Sequence, residues 1–252
     1  MISCSSANRP SHVYHLQATV LEIEGNGRIF AHHNAFHGMP AMTMEFAVQD
    51  PSKLQPGDLI EADVDTNGDV WSLSNVKRHP RAVVQASARI PLVVVGDRLP
   101  DVVLHDQNGA VRRWKDFVGH PFALSFIYTR CQDPRMCPAT TAKFVQAAHL
   151  LAAGRARFAE LTLDPEHDTP RVLRVYQHRY GIDPKVMVLL LSESRSTKAF
   201  AERLGVLERA VPGAILHTER VVIVDARGRI KRFFNDTDWR ATDVAAALSL
   251  IL

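Results

Sequence analysis

The hydrophobic period of this chain changes once, near Pro91, and that change restricts it to a two-part architecture. From about Ser11 to His79 apolar residues alternate in short stretches broken by turn residues. A period of two places successive side chains on opposite faces of a strand. "HLQATVLEIEGNGRIFAHH" predicts two strands joined at Gly25-Asn26-Gly27, and "MTMEFAVQD" predicts a third. "GDLIEADVDTNGDVWSLSNVKR" predicts a hairpin turning at Asn67-Gly68, because Asn-Gly accepts the positive φ that tight hairpins need. Five short strands over residues 11–79 make a small all-β domain, an OB-like five-stranded barrel. A connector without a clear period occupies residues 80–91.

From residue 92 to 252 strands alternate with helices. "FALSFIY" is a continuous apolar run of buried-strand length, and "PATTAKFVQAAHLLAAG" is helical, with Pro138 in its first turn and a stop at Gly154. "RFAELTLD", "TPRVLRVYQHRYG", "KVMVLLLS" and "STKAFAERLG" repeat the alternation, with a helix stop at Gly181. "ERVVIVDARGRIKRFF" predicts a hairpin near Arg227-Gly228, and "ATDVAAALSLIL" a last helix. This order predicts an α/β sheet covered on both faces, in the manner of a thioredoxin-like fold.

Composition excludes several classes of function. Of 252 residues, 46% are hydrophobic and 23% charged, and the net charge of +3 comes with no long basic run. That is not the electrostatic footprint of a nucleic-acid binder. Apolar runs such as "VMVLLL" are far below the ~18–20 residues of a membrane helix. Three cysteines, Cys4, Cys131 and Cys137, are too few for a disulfide scaffold.

The chemistry gathers in two places. Residues 32–46 read "HHNAFHGMPAMTMEF", holding three of the twelve histidines and three of the six methionines. Thioether sulfur is a soft ligand that favours copper(I), and imidazole completes such sites. Met42 and Met44 share a strand face, so both sulfurs can meet one ion. The competing structural reading makes Met42, Met44 and Phe46 the inward face of a barrel strand, with methionine as filler.

The second place is "FIYTRCQDPRMCP". Cys137 opens a helix, where free N–H groups favour thiolate, the form that attacks and ligates. A static bridge or two unrelated core thiols are the plainer readings. Six positions at ~100° each leave the two thiols ~240° apart on a regular helix. The intervening residues therefore loop, and Pro134 disfavours helical geometry at Asp133. Met136 is either an extra soft ligand in this loop or filler. Asp164 and Asp168 lie in "DPEHDTP", where Asp168 or Thr169 caps the next helix, or the aspartates tune the thiols or hold a partner.

"MPAMTMEF", preceded by histidine, resembles the CusF-type periplasmic copper-binding domain, a small five-stranded barrel. That family holds copper(I) with one histidine and two methionines under an aromatic cap. The resemblance implies His32, Met42 and Met44 as ligands. His33 replaces His32 if the turn is one residue shorter, and Met39, standing where tryptophan is usual, is a further ligand or a lid. The second half resembles the Sco/SenC/PrrC family of thioredoxin-like copper proteins. "GDRLPDVVLHDQNG", "FIYTRC", the "CP" that opens the helix and "LTLDPEHDTPRVL" carry the resemblance. It implies copper ligation by Cys131, Cys137 and His217, the histidine ahead of "VVIVDARG". One departure is clear, since five residues separate the cysteines where the family usually has three.

The two resemblances together imply a copper(I) metallochaperone, with copper(II) as a second cargo. Its expected client is a cytochrome c oxidase subunit with a CuA centre, or another copper-accepting protein, with other copper chaperones as partners. Two rivals stand beside it. One is a thiol–disulfide oxidoreductase that uses Cys131 and Cys137 as redox thiols to reduce a partner's copper-site cysteines. The other is a periplasmic copper-tolerance buffer. "Ile2-Ser3-Cys4-Ser5-Ser6" looks like the end of a bacterial lipoprotein signal, which implies a periplasmic protein held to the membrane through lipidated Cys4.

Overall fold

A computed structural model describes residues 13–24, 26–66, 71–81, 92–152 and 154–252. Cys4, the Asn67-Gly68 turn, Gly25 of the first turn and most of the 80–91 connector lie outside the described residues. The chain divides into two compact units, Met1–Ser87 and Ala88–Leu252.

The first unit holds strands β1 (Val13–Ile23), β2 (Arg28–His33), β3 (Met42–Val48), β4 (Leu59–Asp65) and β5 (Ser72–His79). They close in the order β1-β2-β3-β5-β4. Strands β3 and β5 complete the closure through Ala47–Ser72 and Val48–Leu73, which shortens the open edges a small sheet would otherwise present. Strand β1 is long enough to pair with both β2 and β4, and an irregularity between Val20 and Glu22 bends it from one to the other. The alternation of the sequence fills the interior with Leu16, Ala18 and Val20, Ile29 and Ala31, Phe46 and Val48, and Ile60, Ala62 and Val64.

The second unit is built on a seven-stranded sheet in the order β14-β13-β8-β9-β10-β6-β7. Its strands are β6 (Leu104–Asp106), β7 (Val111–Arg112), β8 (Phe122–Ile127), β9 (Arg157–Thr162), β10 (Met187–Leu191), β13 (Arg220–Val224) and β14 (Ile230–Asn235). A two-stranded ribbon, β11 (Glu208–Val211) and β12 (Ala214–His217), stands apart from it. Helices α1 (Cys137–Leu150), α2 (Pro170–Tyr180) and α3 (Ser194–Arg203) connect strands, and α4 (Ala241–Ser249) follows the last of them. Strands β8, β9 and β10 are parallel, and all six residues of β8 are buried, as a continuous apolar run requires of a strand covered on both faces. Helices α1 and α4 pack together on one face, where Phe144, Phe158 and Trp239 meet. Trp114, Phe117, Phe122 and Phe200 stack in a second aromatic cluster.

Topology sets the place of the site. Ile127 pairs with Thr162, so the loops leaving β8 and β9 emerge side by side. On the other side β13 runs antiparallel to β8, with Val221 opposite Ser125, which brings the start of β13 to the end where β8 finishes. Ligands gather at the carboxyl ends of parallel strands for this reason.

Candidate functional site

The loop 128–136 runs from β8 into α1 and carries Cys131. Two neighbours fix its start. Asp168, fully buried, accepts from the Thr129 backbone N–H at 3.0 Å and from the Thr129 and Thr162 hydroxyls at 2.5 Å each. Asp164 accepts from Arg130 Nε at 2.6 Å. Helix α2 takes its cap from Thr169, whose hydroxyl accepts from Val172 N–H, so Asp168 does not cap. Both aspartates of the "DPEHDTP" loop position the segment that presents Cys131.

Cys137 is buried at the first position of α1, and Cys131 is half-buried; both are free thiols. The acidic thiol is not the expected one. The hydrogen bond to the neighbouring Cys131 sulfur, and after it burial, push the Cys137 thiol up. The Cys131 thiol is brought down to about 6, first by the hydrogen bond from Cys137, then by the Tyr128 hydroxyl and by the backbone N–H of Cys137. The backbone at Asp133 and at the start of α1 adds to these bonds, so the loop serves the Cys131 sulfur rather than Cys137. Tyr128 is pushed up to about 12 by burial and by its bond to Cys131.

His217 closes the group. It ends β12, with its Nε2 3.4 Å from Cys137 Sγ and its ring edge-on to Tyr128. Its Nδ1 lies 3.2 Å from the Thr218 carbonyl, an acceptor only, so Nδ1 carries the proton and Nε2 presents a lone pair. Burial lowers the His217 pKa, which keeps the ring neutral, as a ligand must be. Glu219 stands with them: one ligand atom each from Cys137, His217 and Glu219 lie within 4.8 Å of one another. Sequence reasoning missed Glu219, although its spacing of two from His217 was visible. A cleft of about 290 Å³ opens beside the group, lined by Cys131, Met136 and Tyr128 and by Gly213, Ile215 and His217 of the β11–β12 ribbon. Met136 therefore borders the same space as Cys131 and His217, whatever its role. Sulfur and imidazole donors facing one another in a partly dry cleft suit a soft or borderline metal ion.

The first unit holds a second set of candidates. In the β2–β3 pair Ile29 faces Phe46, Ala31 faces Met44 and His33 faces Met42. Directly opposed residues share a face, so His33, Met42 and Met44 line up with the barrel interior. His32 pairs with Thr43 on the opposite face, its Nδ1 3.1 Å from the Thr43 hydroxyl. This corrects the ungapped expectation: His33, not His32, stands with the two methionines. His33 is fully buried, Nδ1 donates to the Asn34 carbonyl at 2.8 Å, and Nε2 has no hydrogen-bond partner among the described residues. An orphaned buried imidazole nitrogen beside thioethers is a fit for a soft cation. Phe36 meets His33 edge-on and also meets Trp71. Met39 pairs with Phe36 across a tight turn whose central residues, His37 and Gly38, both have positive φ. Trp71, just ahead of β5, is an aromatic neighbour that the local motif did not reveal.

Comparisons with known proteins bear on the second unit. The SCO1/SenC family model matches residues 99–252. An SCO2-like protein of Rickettsia typhi is 27% identical over 143 residues, spanning 53% of this chain and 68% of its own. Bradyrhizobium japonicum ScoI, solved with copper bound, aligns at 25% identity with a TM-score of 0.52, covering 63% of this chain and all of its own. A SCO1/SenC family lipoprotein of Bacillus anthracis shares the fold with a TM-score of 0.57 at 20% identity, over 66% of this chain and 99% of its own. With more than half of its residues matched by that family model, over a mixed sheet with Cys131, Cys137 and His217 gathered at one end, this chain belongs to the SCO1/SenC family.

Proposed function

We propose that this chain is a Sco-type copper(I) metallochaperone of the bacterial periplasm, with a thiol site that delivers copper and a barrel site that acquires or buffers it. The observation that carries the reading is the approach of Cys137 Sγ to the bare His217 Nε2 at 3.4 Å, beside the acidic Cys131. Cys131, half-buried at the cleft, offers the first sulfur, and Cys137 and His217 close behind it. Binding releases the proton held between the two sulfurs. This half-buried, cleft-facing sulfur is also the first that an acceptor's own thiols can reach, which allows transfer by ligand exchange. Family membership supports a cytochrome c oxidase subunit, or a similar respiratory copper site, as client.

In the barrel, whose methionine motif resembles that of CusF-type domains, His33, Met42 and Met44 form the ligand set, with Phe36 and Trp71 as aromatic neighbours. Domain limits of 11–79 and 92–252 belong to this reading, as does an anchor at Cys4.

The asymmetry of the thiols favours a second reading, thiol–disulfide exchange. Cys131 thiolate attacks a partner's disulfide and releases one partner thiol. Cys137 then loses its proton and attacks the Cys131 sulfur, freeing the second partner thiol. The partner gains two electrons and this chain ends with a Cys131–Cys137 disulfide. Reduced thiols are also what copper loading requires, so the two readings are compatible.

Anaerobic copper(I) titration against a competing chelator tests the first. Two soft sites give about two equivalents for the reduced chain, about one for Cys131→Ser/Cys137→Ser, and none when His33→Ala is added. His32→Ala leaves the barrel equivalent in place. Unchanged stoichiometry in the cysteine variant overturns the chaperone reading and leaves exchange as the function.

A further inference from the structure

Copper(I) ligation by Cys131, Cys137 and His217 leaves one buried group unused. The Glu219 side chain is 2% exposed, in the two-residue connection between β12 and β13. Its Oε2 accepts from Thr140 Oγ1 at 3.3 Å, but its Oε1 has no hydrogen-bond partner among the described residues. That bare oxygen lies 4.0 Å from His217 Nε2, which is itself a lone pair because Nδ1 is committed to the Thr218 carbonyl. Four ångströms is too long for a hydrogen bond, whichever atom carried a proton. Lys143, a nearby cation, is held by the Thr237 carbonyl and over the Trp239 ring. The Cys137 thiol, at 3.4 Å, serves the His217 lone pair, so the unserved acceptor is Glu219 Oε1, and a bare carboxylate oxygen out of water is costly unless something positive sits beside it.

Charge and softness say which cation. A carboxylate oxygen is a hard ligand that adds little to copper(I), whereas a sulfur, nitrogen and oxygen set suits zinc(II) or copper(II). One thiolate and one carboxylate also neutralise two positive charges, while against copper(I) they leave a buried negative charge. Granting that Cys137 and His217 form a metal centre, we propose that Glu219 is its oxygen ligand and gives it affinity for a divalent ion of the zinc(II)–copper(II) class. The centre then has two overlapping donor sets around His217. One is soft and opens on the cleft through Cys131. The other is harder and lies inward through Glu219.

Zinc(II) is the probe for affinity, since copper(II) oxidises thiols, and cobalt(II) is the probe for ligands, since its thiolate charge-transfer and d–d bands report them. Both are titrated into the full reduced chain, and only the equivalent lost in Cys131→Ser/Cys137→Ser is counted. Glu219→Gln is expected to weaken zinc(II) at that equivalent about tenfold or more and to shift the cobalt(II) d–d bands, while copper(I) affinity changes less than about threefold. Glu219→Asp, which keeps the carboxylate, is expected to restore part of the zinc(II) affinity. Equal zinc(II) affinity in wild type and Glu219→Gln overturns the proposal, as does an equal loss for both ions. Retained copper(I) affinity shows that the variant is folded. If the cysteine variant loses no copper(I), the underlying metal-centre reading fails instead, which is a separate result.

Discussion

At the scale of single residues, the two cysteines show how a neighbouring sulfur, together with burial, can outweigh a helix terminus. Cys137 sits where a thiol is ordinarily acidified, yet it is fully buried and its pKa is pushed up. Cys131, outside the helix, collects the hydrogen bonds and is lowered to about 6. Below that value Cys131 takes up its proton and its nucleophilicity falls about tenfold per pH unit; above it the thiolate persists. Iodoacetamide at pH 7 should therefore modify Cys131 first, with a midpoint near 6 in the pH–rate profile, and reach Cys137 only after unfolding. Peptide mass spectrometry separates these thiols from Cys4. Equal rates, or a Cys131 midpoint at the ordinary thiol value of about 8.5, would remove the asymmetry. The sequence made the identity of the reactive residues legible. It did not reveal which sulfur is acidic, because that depends on where the Cys137 N–H and the Tyr128 hydroxyl point. His33 and His32 teach the same lesson, since one position of register exchanges the two faces of a strand.

At the scale of elements, punctuation residues carried most of the reading. Pro170 and the left-handed Gly181 bound α2, and Pro138 lies in the first turn of α1. The continuous apolar run at Phe122–Ile127 is a buried strand. Strands β6, β7, β11 and β12 were not legible. Strand β7 has two exposed residues, and β11 and β12 are half-exposed with no alternation, so pairing alone defines them. Nor was the contact between loops legible, because Asp168 and Thr129 meet only once β8 and β9 lie side by side. Asp168→Asn replaces an acceptor-only carboxylate serving three donors with an amide that must turn its own donors toward one of them. We expect a loss of about 2–4 kcal/mol in urea unfolding, against about 1 kcal/mol for removing the α2 cap with Thr169→Ala. The opposite order would show that the hydrogen bonds of Asp168 contribute less to stability than the α2 cap does.

At the scale of the whole molecule, the two units keep separate cores and separate chemistry: thioethers and imidazole in one, thiols and imidazole in the other. The second unit also carries an acid at the centre of its sheet. Glu160, in β9, is fully buried and accepts from the Thr141 hydroxyl at 3.0 Å, which in turn meets Tyr176 at 2.9 Å. Desolvation pushes its carboxyl up to about 8, against 4.5 when unperturbed, and nearby Glu219 acts in the same direction. Between those values the folded chain holds a proton that the unfolded chain has released. The stabilisation linked to this proton is complete below about 4.5, declines as pH rises, and is gone above about 8. Each pH unit in that window corresponds to at most about 1.4 kcal/mol. Glu160→Gln is neutral throughout and keeps a hydrogen-bonding group of the same shape. Urea titrations followed by Trp114 and Trp239 fluorescence at pH 5 and pH 8 should show wild type losing about 2–4 kcal/mol more than the variant over that interval. Parallel curves for the two proteins would mean that Glu160 is ionised in the folded state. The centre of the sheet would then hold a charge that only its partners Thr141 and Tyr176 could be stabilising.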